Sequence, residues 1–123
     1  MIITLPWPDR HLSPNARLTW RSKMIYTAMA RDIGFSAARQ VFTPGESAPL
    51  TGELRVTYHI YPPNKHSRDE DNLLSNLKGV LDGVAKGLEI DDKEFHGAVC
   101  VWHEPEPPGR IEMEINESPA AER

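Results

Sequence analysis

Cysteine is almost missing: Cys100 is the only one in 123 residues. An intrachain disulfide and a cysteine-based zinc site are therefore excluded, and a reducing cytoplasmic compartment is expected. No apolar run approaches the ~18 residues that a membrane span requires, so no membrane partner is expected. The opening Met1-Ile2-Ile3-Thr4-Leu5-Pro6-Trp7 has neither a basic region nor a cleavage site, so a signal peptide is not expected. Internal repeats are lacking, and glycine and proline form no low-complexity runs. An excess of positive charge is missing too. The net charge of -4 argues against a protein that coats DNA nonspecifically.

What is present fits one domain. The length is that of a single domain, and 39% hydrophobic with 26% charged residues is ordinary globular composition. Charge is unevenly spread: residues 1–68 sum to +5 and residues 69–123 to -9. A basic half beside an acidic half suits a protein that meets a polyanion with one and cations with the other, although uneven surface charge alone gives the same count.

The pattern predicts a strand at 1–5, a loop to 19, a helix from about 20 to 41, and a linker at 43–50. Residues 53–61 alternate, with Leu54, Val56, Tyr58 and Ile60 on one face, and read as a half-buried strand. A second helix is expected at about 70–87, then strands at 95–103 and 110–116 joined by a hairpin loop at 104–109. The result is an α+β fold of β-α-β-α-β-β order: one domain over 1–116, a small mixed sheet packed by two helices, and a disordered tail at 117–123. Gly83 and Gly87 weaken the last helical turns, and Gly87 is a plausible C-cap.

The informative segment is Arg68-Asp69-Glu70-Asp71-Asn72, with Asp91-Asp92 after the second helix. At ~100° per residue, Asp71, Ser75, Lys78 and Asp82 form one polar stripe, and Leu73, Leu77, Val80, Leu81, Val84 and Leu88 lie opposite. Carboxylates held close together repel unless they are protonated or bridged by a cation, and all-oxygen ligands suit Mg²⁺ or Mn²⁺. A hard divalent ion with a nearby lysine is the equipment of a metal-dependent phosphodiesterase. A structural reading competes. Ser67 with Glu70 fits a capping box, Asp69 or Asp71 suits a helix N-terminus, and Asp91-Asp92 suits a solvated turn. A calcium hand is excluded, because Leu73 and Leu74 stand where a ligand and a glycine are needed.

These residues resemble the RusA family of Holliday junction resolvases, particularly its phage and prophage members. The resemblance rests on ITLPWP at 3–8, SPNAR at 13–17, WRSK at 20–23, RDEDN at 68–72, Lys78, Asp82-Gly83, and IDD at 90–92. It implies a homodimeric, Mg²⁺-dependent endonuclease, with Mn²⁺ as a possible substitute, that cuts four-way DNA junctions by paired symmetric nicks in recombination and repair. It carries metal-binding and catalytic roles onto Asp69, Asp71 and Asp92, with Asp91 as an alternative to Asp92. The family lysine falls at Ser75 by spacing; here Lys78, one turn on, is expected to take its catalytic role. Arg10, Arg17, Arg21, Lys23, Lys65 and Arg68 are candidate DNA-phosphate contacts. Trp20 is expected to pack on the first helix, or else to stack on an exposed base. The first helix is the expected dimerisation surface. His59, His66, His96 and His103 show no metal spacing, and Cys100 reads as a core thiol. Two other readings stay open: a junction-binding regulator that cuts poorly, and a nuclease for other branched DNA.

Overall fold

The computed structural model describes residues 1–12 and 17–118. The SPNAR motif, apart from Arg17, and residues 119–123 of the expected tail lie outside the described residues. Four strands form one mixed sheet: β1 (Ile2–Pro6), β2 (Glu53–Tyr61), β3 (Phe95–Trp102) and β4 (Arg110–Ser118). Three α-helices accompany them: α1 (Trp20–Arg39), α2 (Glu70–Asn76) and α3 (Lys78–Leu88). Short 3₁₀ turns stand at Arg10–Leu12 and Asp92–Glu94. The α+β class expected from the sequence is the class found.

The strand order is β1-β4-β2-β3. β4 pairs antiparallel with β1 and with β2, whereas β2 and β3 run parallel, joined by the crossover through α2 and α3. β3 and β4 therefore flank β2 from opposite sides, and 104–109 is not the expected hairpin loop. The parallel pairing obliges the chain to cross the end of β2 before it can start β4. β4 also continues two residues past the expected boundary, because Glu117 and Ser118 pair with Leu54 and Glu53.

The alternation in β2 holds. Leu54, Val56, Tyr58 and Ile60 are buried with Ile3, Leu5, Ile111, Met113 and Ile115 from the neighbouring strands. Leu73, Leu77, Val80, Val84 and Leu88 join the same core from the helical side, as the leucine stripe requires. At roughly 2 kcal/mol for each fully buried aliphatic side chain, this face dominates the folding free energy.

The expected single helix over 70–87 is instead two. Leu77 has φ -85° and ψ -7°, and its N–H bonds the Leu74 carbonyl three residues back rather than the one four back. Leu77 is fully buried, so the core fixes the residue at which the helix changes direction. Gly87 is not the C-cap. Glu89 ends α3 in the left-handed region at φ 59°, and Gly87 lies inside the helix. A Cβ on Gly87 would sit 2.7 Å from the Ala38 methyl of α1, and one on Gly83 or Gly34 would overlap facing backbone. The glycines four residues apart on α3 let two helix backbones meet.

Candidate functional site

Asp69 is the N-cap of α2. Its extended backbone turns the side chain back, so that Oδ1 accepts from the Asp71 N–H at 2.8 Å and from the Asn72 N–H at 3.4 Å. The expected capping box led by Ser67 does not form. Glu70 reaches away from the cap and accepts the Trp102 indole N–H of β3 at 3.0 Å. Burial pushes the Cys100 thiol up to about 11, and the charge of Glu70 adds to that effect. Cys100 is half-buried against the core, in keeping with the expected core thiol. Asp69 and Asp71 are both exposed, in a first turn where negative charge is favoured.

Asp92 lies elsewhere, at the start of the second 3₁₀ turn. Asp91 caps that turn, accepting from the Lys93 N–H at 3.0 Å. That bond, the largest cause, holds the Asp91 carboxyl below its ordinary range. One carboxylate of the pair is thus engaged by the backbone. Both aspartates line a cavity of about 320 Å³ together with Arg31, Asp82 and Lys86.

Lys78 opens α3 and is exposed. It shares a second cavity, of about 480 Å³, with Ser75, Asn76 and Asp82 of the helices and with Lys23, Tyr26, Thr27 and His11. The polar stripe therefore survives the helix break in part: Ser75, Lys78 and Asp82 converge, while Asp71 does not line this cavity. Asp82 borders both cavities and links the Lys78 side to the Asp91-Asp92 side.

The basic candidates divide into three groups. Arg10, Arg17 and Arg21 are exposed, and no ion pair holds them among the described residues. Lys23 lines the Lys78 cavity. Lys65 and Arg68 line a third cavity, of about 320 Å³, with Asn64, His66, Ser67 and Trp102. Arg68 is held inward. It donates to the Asn64 carbonyl at 3.0 Å and to the His66 carbonyl at 2.7 Å, and it stacks 5.2 Å from the Trp7 ring centre. Its first task is to shape the 64–68 loop. Trp20 is 74% exposed and does not pack on the helix it begins.

Three groupings were not legible from spacing. His59 lies between two partners on the sheet face away from the core: its Nε2 is 2.9 Å from Glu114 Oε1, and its Nδ1 is 2.9 Å from His103 Nε2. The His59 bond holds the Glu114 carboxyl below its ordinary range, with a smaller contribution from Asn116. The ring of His103 stacks on Tyr61, over which Arg110 lies at 3.9 Å. Far along the chain from these, His11 stacks on Tyr26 with centroids 4.6 Å apart, and Asp9 holds the His11 ring at 2.6 Å.

No family model matches the chain. An uncharacterized protein of Xylella fastidiosa (strain Temecula1 / ATCC 700964) is 35% identical to it over 113 residues, which is 92% of this chain and 74% of the relative. The chain belongs to that protein's family. The shared length takes in most of the elements described above. Since the relative is itself uncharacterized, the chemistry of the site carries the functional argument.

Asp69, Asp71 and Asp92 are exposed oxygen donors of the type Mg²⁺ takes. Among the described residues, however, no three His, Cys, Asp or Glu side chains are grouped so as to hold a metal ion. Asp69 and Asp71 share a cap, and Asp92 belongs to another cavity, so the described side chains do not form a ready three-carboxylate site. No helix is long and apolar enough to cross a membrane among the described residues.

Proposed function

We propose that this chain is a structure-specific endodeoxyribonuclease acting on branched DNA, in the manner of the RusA-type resolvases it resembles. The observation that carries the reading is the shared wall of Lys78, Ser75 and Asp82, with Asp82 also bordering the Asp91-Asp92 cavity. An ammonium beside carboxylates on one surface suits a phosphodiester. The cation offsets phosphate charge, and the carboxylates repel the backbone unless that charge is met. Lys23 lines the same cavity, and the basic residues at 10, 17, 21 and 65 are the further sequence-independent phosphate contacts of this reading.

In this reading the substrate is a four-way junction, and Mg²⁺ is required. Asp69, Asp71 and Asp92 are the residues that would hold the ion, which would polarise the scissile phosphate, although the described carboxylates do not converge on one point. Two protomers match the two-fold symmetry of a junction, and the outer side of α1 is the proposed meeting surface, with Met24, Ile25 and Met29 each more than half exposed.

The test is an end-labelled synthetic four-way junction incubated with protein in Mg²⁺ and in EDTA, beside linear duplex and an Asp71→Asn variant. Paired symmetric nicks that need Mg²⁺ and vanish in the variant are expected. Equal cutting of linear duplex would remove the junction claim. The dispersed carboxylates favour a second reading, a junction-binding protein that leaves DNA intact. Tight binding without nicks in Mg²⁺ or Mn²⁺ would select it.

A further inference from the structure

The cavity between α1 and the α2–α3 break holds more than a lysine and an aspartate. Lys23 and Lys78 bring two ammonium groups, and neither is ion-paired among the described residues. Tyr26 and His11 form an aromatic wall, its two rings within 6° of parallel. The His11 ring is fixed from behind by Asp9 at 2.6 Å, and the His11 backbone N–H, together with that side-chain hydrogen bond, keeps the Asp9 carboxyl below its ordinary range. Ser75 adds a hydroxyl, and Asp82 adds a carboxylate with no partner among the described residues. Asn76 completes the lining beside them.

These groups define a ligand by what each one lacks. The ammonium groups want an anion, the aromatic wall wants a planar ring, and the Asp82 carboxylate wants an N–H donor. A volume of about 480 Å³ falls within the roughly 300–1,000 Å³ of small-molecule sites. One chemical class carries all three features: a nucleotide, with its phosphate, its flat base and its amino group. We infer that this cavity binds a single unpaired nucleotide, with the phosphate at Lys23 and Lys78, the base against the Tyr26–His11 wall, and the base amino group at Asp82. The inference deepens the nuclease reading and rests on it for the source of that nucleotide, the unpaired position of a DNA branch.

Base preference follows from the Asp82 carboxylate. Adenine, cytosine and guanine each carry an exocyclic amino group, whereas thymine offers a single ring N–H flanked by two carbonyl oxygens that would crowd the Asp82 carboxylate. The test is calorimetric titration of the full chain in EDTA with the four deoxynucleoside 5′-monophosphates and with inorganic phosphate. The amino-bearing three are expected to bind about fivefold or more tighter than thymidine monophosphate, and phosphate alone about tenfold weaker. Lys23→Gln and Tyr26→Leu should each weaken binding about fivefold, and Tyr26→Phe should retain it, with thermal melting to identify any variant that has lost its fold. Binding by none of the four overturns the inference. So does equal binding of all four and of phosphate, which is the behaviour of an unselective cationic cleft. A duplex bearing one bulged adenosine separates the two sources: tighter binding of the bulge assigns the site to DNA, and equal binding to the free nucleotide. No cleavage is read, so a chain that binds nucleotides but cuts no junction sinks the nuclease reading alone. One that cuts junctions but binds no nucleotide sinks only this inference.

Discussion

Gly83 of α3 faces the backbone of Arg31 on α1 so closely that a Cβ at position 83 would overlap the Arg31 carbonyl oxygen. Neither partner can yield by a side-chain rotation, because the obstacle is main chain. Gly83→Ala should therefore destabilise the protein by about 2 kcal/mol, even though alanine is the better helix former by about 1 kcal/mol. A fall in melting temperature of roughly 5–10 °C would be read by circular dichroism. Gly79→Ala is the control: its Cβ would meet the Ala30 methyl at 3.1 Å and backbone only at 3.9 Å, and its effect should stay within about 1 kcal/mol. Equal effects from the two substitutions would refute the backbone-contact account.

Asp69 holds two roles that substitution can separate. Asp69→Ala removes the acceptor of the Asp71 and Asn72 N–H groups and should cost about 1 kcal/mol of stability. Asp69→Asn keeps an oxygen at the cap and loses only the charge, so its melting temperature should stay near that of the parent. Under the proposed nuclease activity, both variants lose cleavage. A cleaving Asp69→Asn protein would leave Asp69 a capping residue alone.

Glu89 terminates α3 at φ 59°, a region where a side chain clashes with its own backbone. Its ion pair with Arg39 is long, at 3.7 Å, and exposed, so it contributes little. Glu89→Gly should raise stability by about 0.5 kcal/mol, the relief of strain being partly offset by a freer unfolded chain. Urea denaturation would register the gain as a higher midpoint at unchanged slope.

Burial pushes the Tyr58 hydroxyl up to about 12, chiefly by desolvation and secondarily through Cys100, whose thiol is pushed up to about 11. Both groups lose their protons more readily in the unfolded chain than in the fold. Their stabilising contribution is fully present below pH 9 and is lost as pH rises through 11 and toward 12. Melting temperature measured from pH 8 to 11.5 should fall over the upper part of that range. Tyr58→Phe should flatten the fall above pH 10. An unchanged slope in that variant would remove Tyr58 from the account.

The legible part of the fold was the part governed by period. Alternation located the buried face of β2, and the leucine spacing located the core face of α2 and α3. The break at Leu77 was invisible, since Leu77 occupies a correct position in an uninterrupted helical stripe. The role of Gly83 and Gly87 was hidden for a related reason. Glycine reads as a helix weakener until the second helix that needs its missing side chain is known. At the site, Lys78, Ser75 and Asp82 were grouped from helix geometry alone, and the structure brings them together. The remainder of that cavity was not legible: His11, Lys23 and Tyr26 come from an earlier part of the chain, and their approach depends on how α1 crosses α3.

The position of β4 bears on how the chain comes to be folded at all. β4, the fourth of these strands in chain order, sits between β1 and β2 in the sheet, and among the described residues β1 hydrogen-bonds to no other strand. A nascent chain that has emerged only as far as Gly109 therefore carries its first strand unpaired and one long edge of β2 open. Such edges invite pairing with other chains, and the sheet closes late, through contacts that span nearly the whole length of the sequence. During translation, protection from aggregation falls to the helical pair α1 and α3, which can already dock glycine to backbone before the sheet has its centre.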